Sequence, residues 1–160
     1  MLSYLKVQEL VEAAERTGQK LWQVILTDQA QALGRDQEEL WQEMQHRLQV
    51  MRESLAKGLS GDNISVSGLS GRDAGKVQRA LAAGRLLGGP VLDGAILKAL
   101  AIAEVNAAMG RIVAAPTAGS CGILPGVLLT AAEVLQAWGR ICHFLAKSGA
   151  AVAKNGQKTC

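Results

Sequence analysis

Twenty-one consecutive residues without a charge, Ile112 to Ala132, limit what this 160-residue chain can become. A run of that length either crosses a membrane or is buried against other protein. Its own residues choose between the two. Pro116, Gly119, Gly122, Pro125 and Gly126 interrupt any single spanning helix, and broken helices cross bilayers only within larger polytopic folds. The run predicts a tight loop entering a helix, with Pro125 in the first turn, where the missing N–H of proline is harmless. No membrane partner is expected.

The rest of the chain reads as helices. Leu2, Leu5, Leu10, Val11 and Ala14 recur at helical spacing, and Gly18 stops them. From Lys20 to Leu33, the residues Leu21, Trp22, Ile25, Leu26, Ala30 and Leu33 form one stripe, ended by Gly34. Asp36 followed by Glu39 resembles a capping box. It opens a third helix through Leu40, Met44, Leu48, Met51 and Leu55, closed by Gly58. These positions predict packing, and residues 1–57 read as a helical arm.

Residues 58–75, GLSGDNISVSGLSGRDAG, hold five glycines and four serines and cannot bury a continuous apolar face. They predict a loop. Within it Ser67-Gly68-Leu69-Ser70-Gly71 offers backbone N–H groups and hydroxyls to an anion, or serves only as a linker. Helix is expected again over 76–87. Asp93 then suits an N-cap for an alanine-rich helix over 94–109. Glu104 and Asn106 on that helix, if buried, each need a partner; they are core polar contacts or functional groups.

Charge excludes one class of partner. Residues 1–139 carry 13 Lys+Arg against 14 Asp+Glu, and residues 140–160 add Arg140, Lys147, Lys154 and Lys158 with no acid. The net +3 thus belongs to the last 21 residues. Nucleic acid is not expected: no basic stripe runs through the body, and three Trp, one Tyr and one Phe are too few for a stacking platform. Three widely spaced cysteines, Cys121, Cys142 and Cys160, with no signal-like start, argue against a disulfide scaffold and for a cytoplasmic protein.

The uncharged run also carries chemistry. Thr117 and Ser120 offer hydroxyls, while Gly119 and Gly122 let a ligand approach the backbone. Cys121 is expected just before a helix N-terminus, where the dipole favours a thiolate. A thiolate there is a nucleophile or a metal ligand. A nucleophile needs a base, and the only histidines, His46 and His143, stand in no recognisable pairing motif. A buried cysteine that only packs is the third option.

The run from Ala103 to Gly126, AEVNAAMGRIVAAPTAGSCGILPG, resembles the iron–sulfur-dependent L-serine dehydratases, and more closely the alpha subunit of their two-chain form. Ser67-Gly68-Leu69-Ser70-Gly71 and Met51-Arg52-Glu53-Ser54 also fit that subunit. Where Arg72 stands, the family commonly has a second glycine. The resemblance implies an all-α fold: a helical N-terminal arm followed by part of the helical catalytic domain over residues 76–138. It implies conversion of L-serine to pyruvate and ammonia with a 4Fe–4S cluster instead of pyridoxal phosphate. Cys121 would be the first of three cluster cysteines, leaving one iron open to polarise the substrate hydroxyl as a Lewis acid. Substrate binding would fall to Ser67, Gly68, Thr117, Gly119 and Ser120, with a beta subunit as partner. No catalytic base is assigned.

After Trp138 the resemblance is expected to stop. Neither Cys142 nor Cys160 sits in the glycine-rich context of the further cluster cysteines, so neither inherits the ligand role. Residues 139–160 read as an atypical basic tail on a truncated or frameshifted alpha chain, an incomplete and inactive fragment, or else as a divergent natural terminus. The competing reading is a non-catalytic helical protein that docks a partner subunit, with Cys121 as packing.

Overall fold

A computed structural model describes residues 6–115, 117 and 119–135. Among them six helices and no strand are found: α1 (Val7–Thr17), α2 (Leu21–Leu33), α3 (Gln37–Leu59), α4 (Asp73–Ala82), α5 (Gly89–Ala107) and α6 (Ser120–Val134). The all-α expectation holds. Cys142, His143, Cys160 and the basic tail lie outside the described residues.

Packing divides the chain into two units, with the division falling inside α3 between His46 and Arg47. In the first unit, Ala13 and Ala14 of α1 meet Val24 of α2, with Leu10 packed beside them. Gly18 and Gly34 end α1 and α2 at φ 65° and 62°, the left-handed turn that glycine enters without a Cβ clash. The stripe expected along α2 is only partly inside. Val24, Asp28 and Ala30 are buried, whereas Leu21, Ile25 and Leu33 are exposed. Trp41 is buried, its ring centroid 6.3 Å from that of Trp22 at a tilted angle. Arg35 bridges Glu39 at 3.5 Å and Glu43 at 2.9 Å on the surface, so Glu39 serves that ion pair beside its place in the first turn of α3.

In the second unit, Ala74 of α4 and Leu97 and Ala101 of α5 form a core, flanked by Leu55, Leu59, Val77, Leu81 and Leu100. Gly58 does not close α3, which runs through it to Leu59. A Cβ on Gly58 would strike the Ala101 carbonyl, so this glycine lets α3 touch α5 and is not a stop. Helix α5 begins at Gly89, before the expected start, because Pro90 supplies a fixed φ to the first turn. Asp93 is therefore not the N-cap residue. It lies inside the helix, buried, and its Oδ1 accepts the Gly88 N–H at 3.2 Å.

Helices α5 and α6 form an antiparallel pair. A Cβ on Gly122 would stand 2.8 Å from the Ala99 carbonyl oxygen, and one on Gly126 would stand 2.9 Å from that of Ala95. Further along, Thr130 lies against Gly94. Small residues on both helices thus bring the backbones together, and Ile102, Val105 and Leu129 fill the interior beside them. Burying one such side chain contributes about 2 kcal/mol. Lys98, nine-tenths buried, donates to Thr130 Oγ1 at 3.2 Å and pairs with Glu133 at 2.8 Å.

Candidate functional site

The connector from α5 to α6 carries the cysteine. Helix α5 ends in a Schellman turn. Gly110 N–H reaches the Val105 carbonyl at 2.7 Å, and Met109 N–H reaches that of Asn106 at 3.0 Å. Met109 takes the left-handed position at φ 58°. The strand of coil that follows is pinned to α3 by Ser54. This buried hydroxyl lies 2.7 Å from both the Arg111 and the Val50 carbonyls, and its one proton serves one of them at a time. An open cleft of about 170 Å³ lies alongside, lined by Val50, Glu53, Ser54, Lys57 and Arg111. Sequence reasoning assigned no role here, although the Met51-Arg52-Glu53-Ser54 run was the available signal.

Thr117 and Ser120 are brought together. Thr117 Oγ1 accepts the Ser120 N–H at 3.2 Å, and Ser120 Oγ accepts the Thr117 N–H at 3.0 Å. Ser120 Oγ also donates to the Thr117 carbonyl at 2.7 Å. Thr117 Oγ1 thereby takes up the Ser120 N–H, one of those that the start of α6 leaves over. Both hydroxyls are thus already engaged, and a ligand at either would exchange one of these bonds. Gly119 is exposed with nothing within 4 Å of its absent Cβ, whereas Gly122 is spent on contact with α5. The expectation that Gly122 opens the backbone to a ligand is therefore corrected.

Cys121 lies inside the first turn of α6, not before it, and Pro125 sits beyond that turn, within the helix. Proline there has no N–H for the Cys121 carbonyl one turn back. The sulfur is half-buried, accepts the Ala115 N–H at 3.2 Å and lies 3.4 Å from the Thr117 carbonyl. The Ala115 N–H is aimed at the sulfur, and cysteine sulfur is the donor that holds iron–sulfur clusters. Cys121 thus fits as one ligand of a cluster. No group of three His, Cys, Asp or Glu able to hold a metal occurs among the described residues.

The serine–glycine loop is closed on itself. Ser65 N–H reaches the Ser70 carbonyl at 2.8 Å, and Gly68 N–H reaches that of Ser65 at 2.8 Å. Ser67 Oγ and Ser65 Oγ share a bond at 3.2 Å. Ser67 and Gly68 are both exposed. The loop is tied to the end of α5 by the Val66 N–H, 3.4 Å from the Ala107 carbonyl. It therefore touches the end of α5 from which the cysteine connector leaves, but no hydrogen bond joins Ser67 or Gly68 to Thr117, Gly119, Ser120 or Cys121 among the described residues.

Glu104 answers the question its position raises. Buried, it accepts the N–H groups of Asp73 at 2.6 Å and Ala74 at 3.0 Å through one oxygen. A carboxylate on α5 thus caps the positive end of α4, which begins at Asp73, before the expected residue 76. Its other oxygen is buried without a hydrogen-bond partner among the described residues. Arg72, just before α4, adopts φ 65°. The backbone there is the one glycine prefers, whatever the side chain. Asn106 is exposed and is no core polar contact.

Among the described residues no helix is long and apolar enough to cross a membrane. A profile of the family described as serine dehydratase alpha chain matches residues 16–157, continuing past Trp138. The chain is 39% identical over 133 residues to the "Probable L-serine dehydratase, alpha chain" of Bacillus subtilis, covering 83% of this chain and 44% of that one. It is 30% identical over 126 residues to the "L-serine dehydratase, alpha chain" of Peptoniphilus asaccharolyticus, covering 79% and 43%. To "L-serine dehydratase 2" of Escherichia coli it is 34% identical over 129 residues, covering 78% and 28%. The chain spans less than half the length of these relatives. No solved structure matches it at a comparable level.

Proposed function

The chain belongs to the serine dehydratase alpha chain family, and from that premise we propose that it carries the Cys121 part of an L-serine dehydratase, an ammonia-lyase that turns L-serine into pyruvate and ammonia. The observation that carries the reading is Cys121 in the first turn of α6, with the Ala115 N–H on its sulfur, inside the span matched by the family. The cofactor is a 4Fe–4S cluster with Cys121 as one ligand; when bound, it supplies a Lewis acid for the departing hydroxyl. The described residues offer Cys121 and no group of three, so the cluster needs further ligands.

This chain's own residues bind and hold. Thr117 and Ser120 exchange their mutual bonds for the serine carboxylate, and Gly119 leaves the approach open. Ser67 and Gly68 form the second wall of the substrate site. Glu104 is a positioning residue that keeps the start of α4 fixed behind that loop. A beta subunit is the partner, a reading supported by the words "alpha chain" in the relatives' names. A cytoplasmic location goes with this reading, because such a cluster needs a reducing compartment.

This 160-residue chain is expected to retain little iron by itself. Anaerobic reconstitution with iron and sulfide, followed by visible absorbance, iron content and serine-dependent pyruvate formation, tests both statements. Little iron and little pyruvate are expected. Stoichiometric iron on the wild-type chain would sink the incomplete-site reading. Cluster absorbance that survives Cys121→Ala would remove the ligand role from Cys121.

A further inference from the structure

The cleft between α3 and the connector holds charges of both signs apart. Val50, Glu53, Ser54 and Lys57 recur at helical spacing along one face of α3, and Arg111 lines the cleft from the connector. Glu53 and Lys57, four residues apart with the acid first, have the arrangement in which such side chains ordinarily pair. Among the described residues they form no ion pair. Glu53 accepts the Gln49 amide at 3.0 Å, while the Lys57 ammonium lies against the connector, 3.4 Å from where a Cβ on Gly110 would stand. Lys57 and Arg111 thus bring two positive charges to one cleft, and Arg111 contributes its charge whatever else its guanidinium touches. Ser54, whose hydroxyl proton goes to a carbonyl, adds an acceptor oxygen to the lining.

We propose that this cleft binds a small zwitterionic α-amino acid. Its carboxylate lies on Lys57 and Arg111, its ammonium on Glu53 and the Ser54 oxygen, and its short side chain against Val50. The charges select this class. A simple anion would be opposed by Glu53 and a simple cation by Lys57 and Arg111, whereas a ligand of both signs gains charge-assisted hydrogen bonds at each end. Size agrees: the cleft measures about 170 Å³, below the roughly 300–1,000 Å³ of pockets for drug-sized ligands. None of these residues is among those assigned above to the reacting serine, and the ligand needs no hydroxyl, so the inference does not rest on the chemistry at Cys121. A ligand held there joins α3 to the connector beside the Ser54–Arg111 bond, and its occupancy steadies the stretch that leads to the cysteine.

The test uses the iron-free 160-residue chain and L-alanine, which carries both charged groups and no hydroxyl to lose. Calorimetric titration should show one site, with acetate and ethylammonium each bound about tenfold more weakly or worse. Lys57→Met and Glu53→Gln, both at exposed positions, should each weaken L-alanine about tenfold with the helical circular dichroism unchanged. Lys57→Arg should keep most of the binding, and saturation should slow hydrogen exchange along residues 111–115. Cys121→Ala should bind L-alanine as the wild-type chain does, which separates a failure of the cluster reading from a failure here. Acetate bound as tightly as L-alanine would overturn the proposal in favour of a plain anion site. So would binding indifferent to Lys57→Met and Glu53→Gln but lost in Ser120→Ala, which would place the amino acid at the connector hydroxyls. Absence of saturable L-alanine binding in the millimolar range would overturn it outright.

Discussion

The α1–α2 unit and the α5–α6 pair are both helical, yet they are held by different means. In the first, small apolar contacts at Ala13, Ala14 and Val24 are dressed with surface bonds such as Gln8 to Glu12 at 3.1 Å and Arg35 to Glu43 at 2.9 Å. In the second, glycines press backbone on backbone and Glu104, Lys98 and Asp93 are buried, as are Ser54 and Asn63 in the same unit, against Asp28 alone among the buried charged or polar residues of the first. The surface network of the first unit is replaceable because water substitutes for each bond. The buried one is not, because losing a partner strands a desolvated group.

The largest break in that comparison should come at Gly126. A valine there must push aside the Ala95 carbonyl and the Ala99 N–H, each within 2.9 Å of the first added carbon, so Gly126→Val should cost about 3 kcal/mol or more in urea unfolding. Glu104→Ala comes next. It strips two N–H groups at the start of α4 of their acceptor, and a loss of about 2 kcal/mol is expected, with Glu104→Gln retaining part of it. An unchanged unfolding midpoint for the alanine variant would mean that the cap is idle.

Smaller effects sharpen the contrast. Ser54→Ala removes the bond to the Arg111 carbonyl and should cost about 1 kcal/mol, with faster hydrogen exchange along the connector. At the bottom stands Glu43→Gln. The Glu43 hydrogen bond, then Glu43 and Glu39 charge, raise the affinity of Arg35 for its proton. A raised value stabilises the fold below the ordinary arginine range and is lost only as pH climbs above it, so pH 5–9 should show no slope from this pair. Thermal denaturation across that range should move by less than the Ser54 variant does at any one pH; an equal shift would erase the distinction between the two regions.

Local signals were legible. Gly18 and Gly34 stop helices where the sequence says, because a left-handed turn is a property of one residue. Periodicity gave the helices but misjudged faces: Leu21, Ile25 and Leu33 are exposed because α2 is covered on one narrow side only. Gly58 was misread for a reason that distance explains. Whether a glycine ends a helix or admits a neighbour depends on Ala101, which no local pattern mentions. The same holds for Glu104, whose partners lie thirty and thirty-one positions earlier in the chain. At the cysteine connector, the residue types were readable from sequence, while the mutual engagement of Thr117 and Ser120 required coordinates.

Met109 has a further consequence. Its φ of 58° is a conformation that costs a residue with a Cβ about 1 kcal/mol more than glycine, and its side chain is 82% exposed, so little packing compensates. The chain therefore enters the cysteine connector from a loaded joint. Natural drift toward glycine at this one place would relax the joint without disturbing a neighbour, making position 109 a latent reserve of robustness.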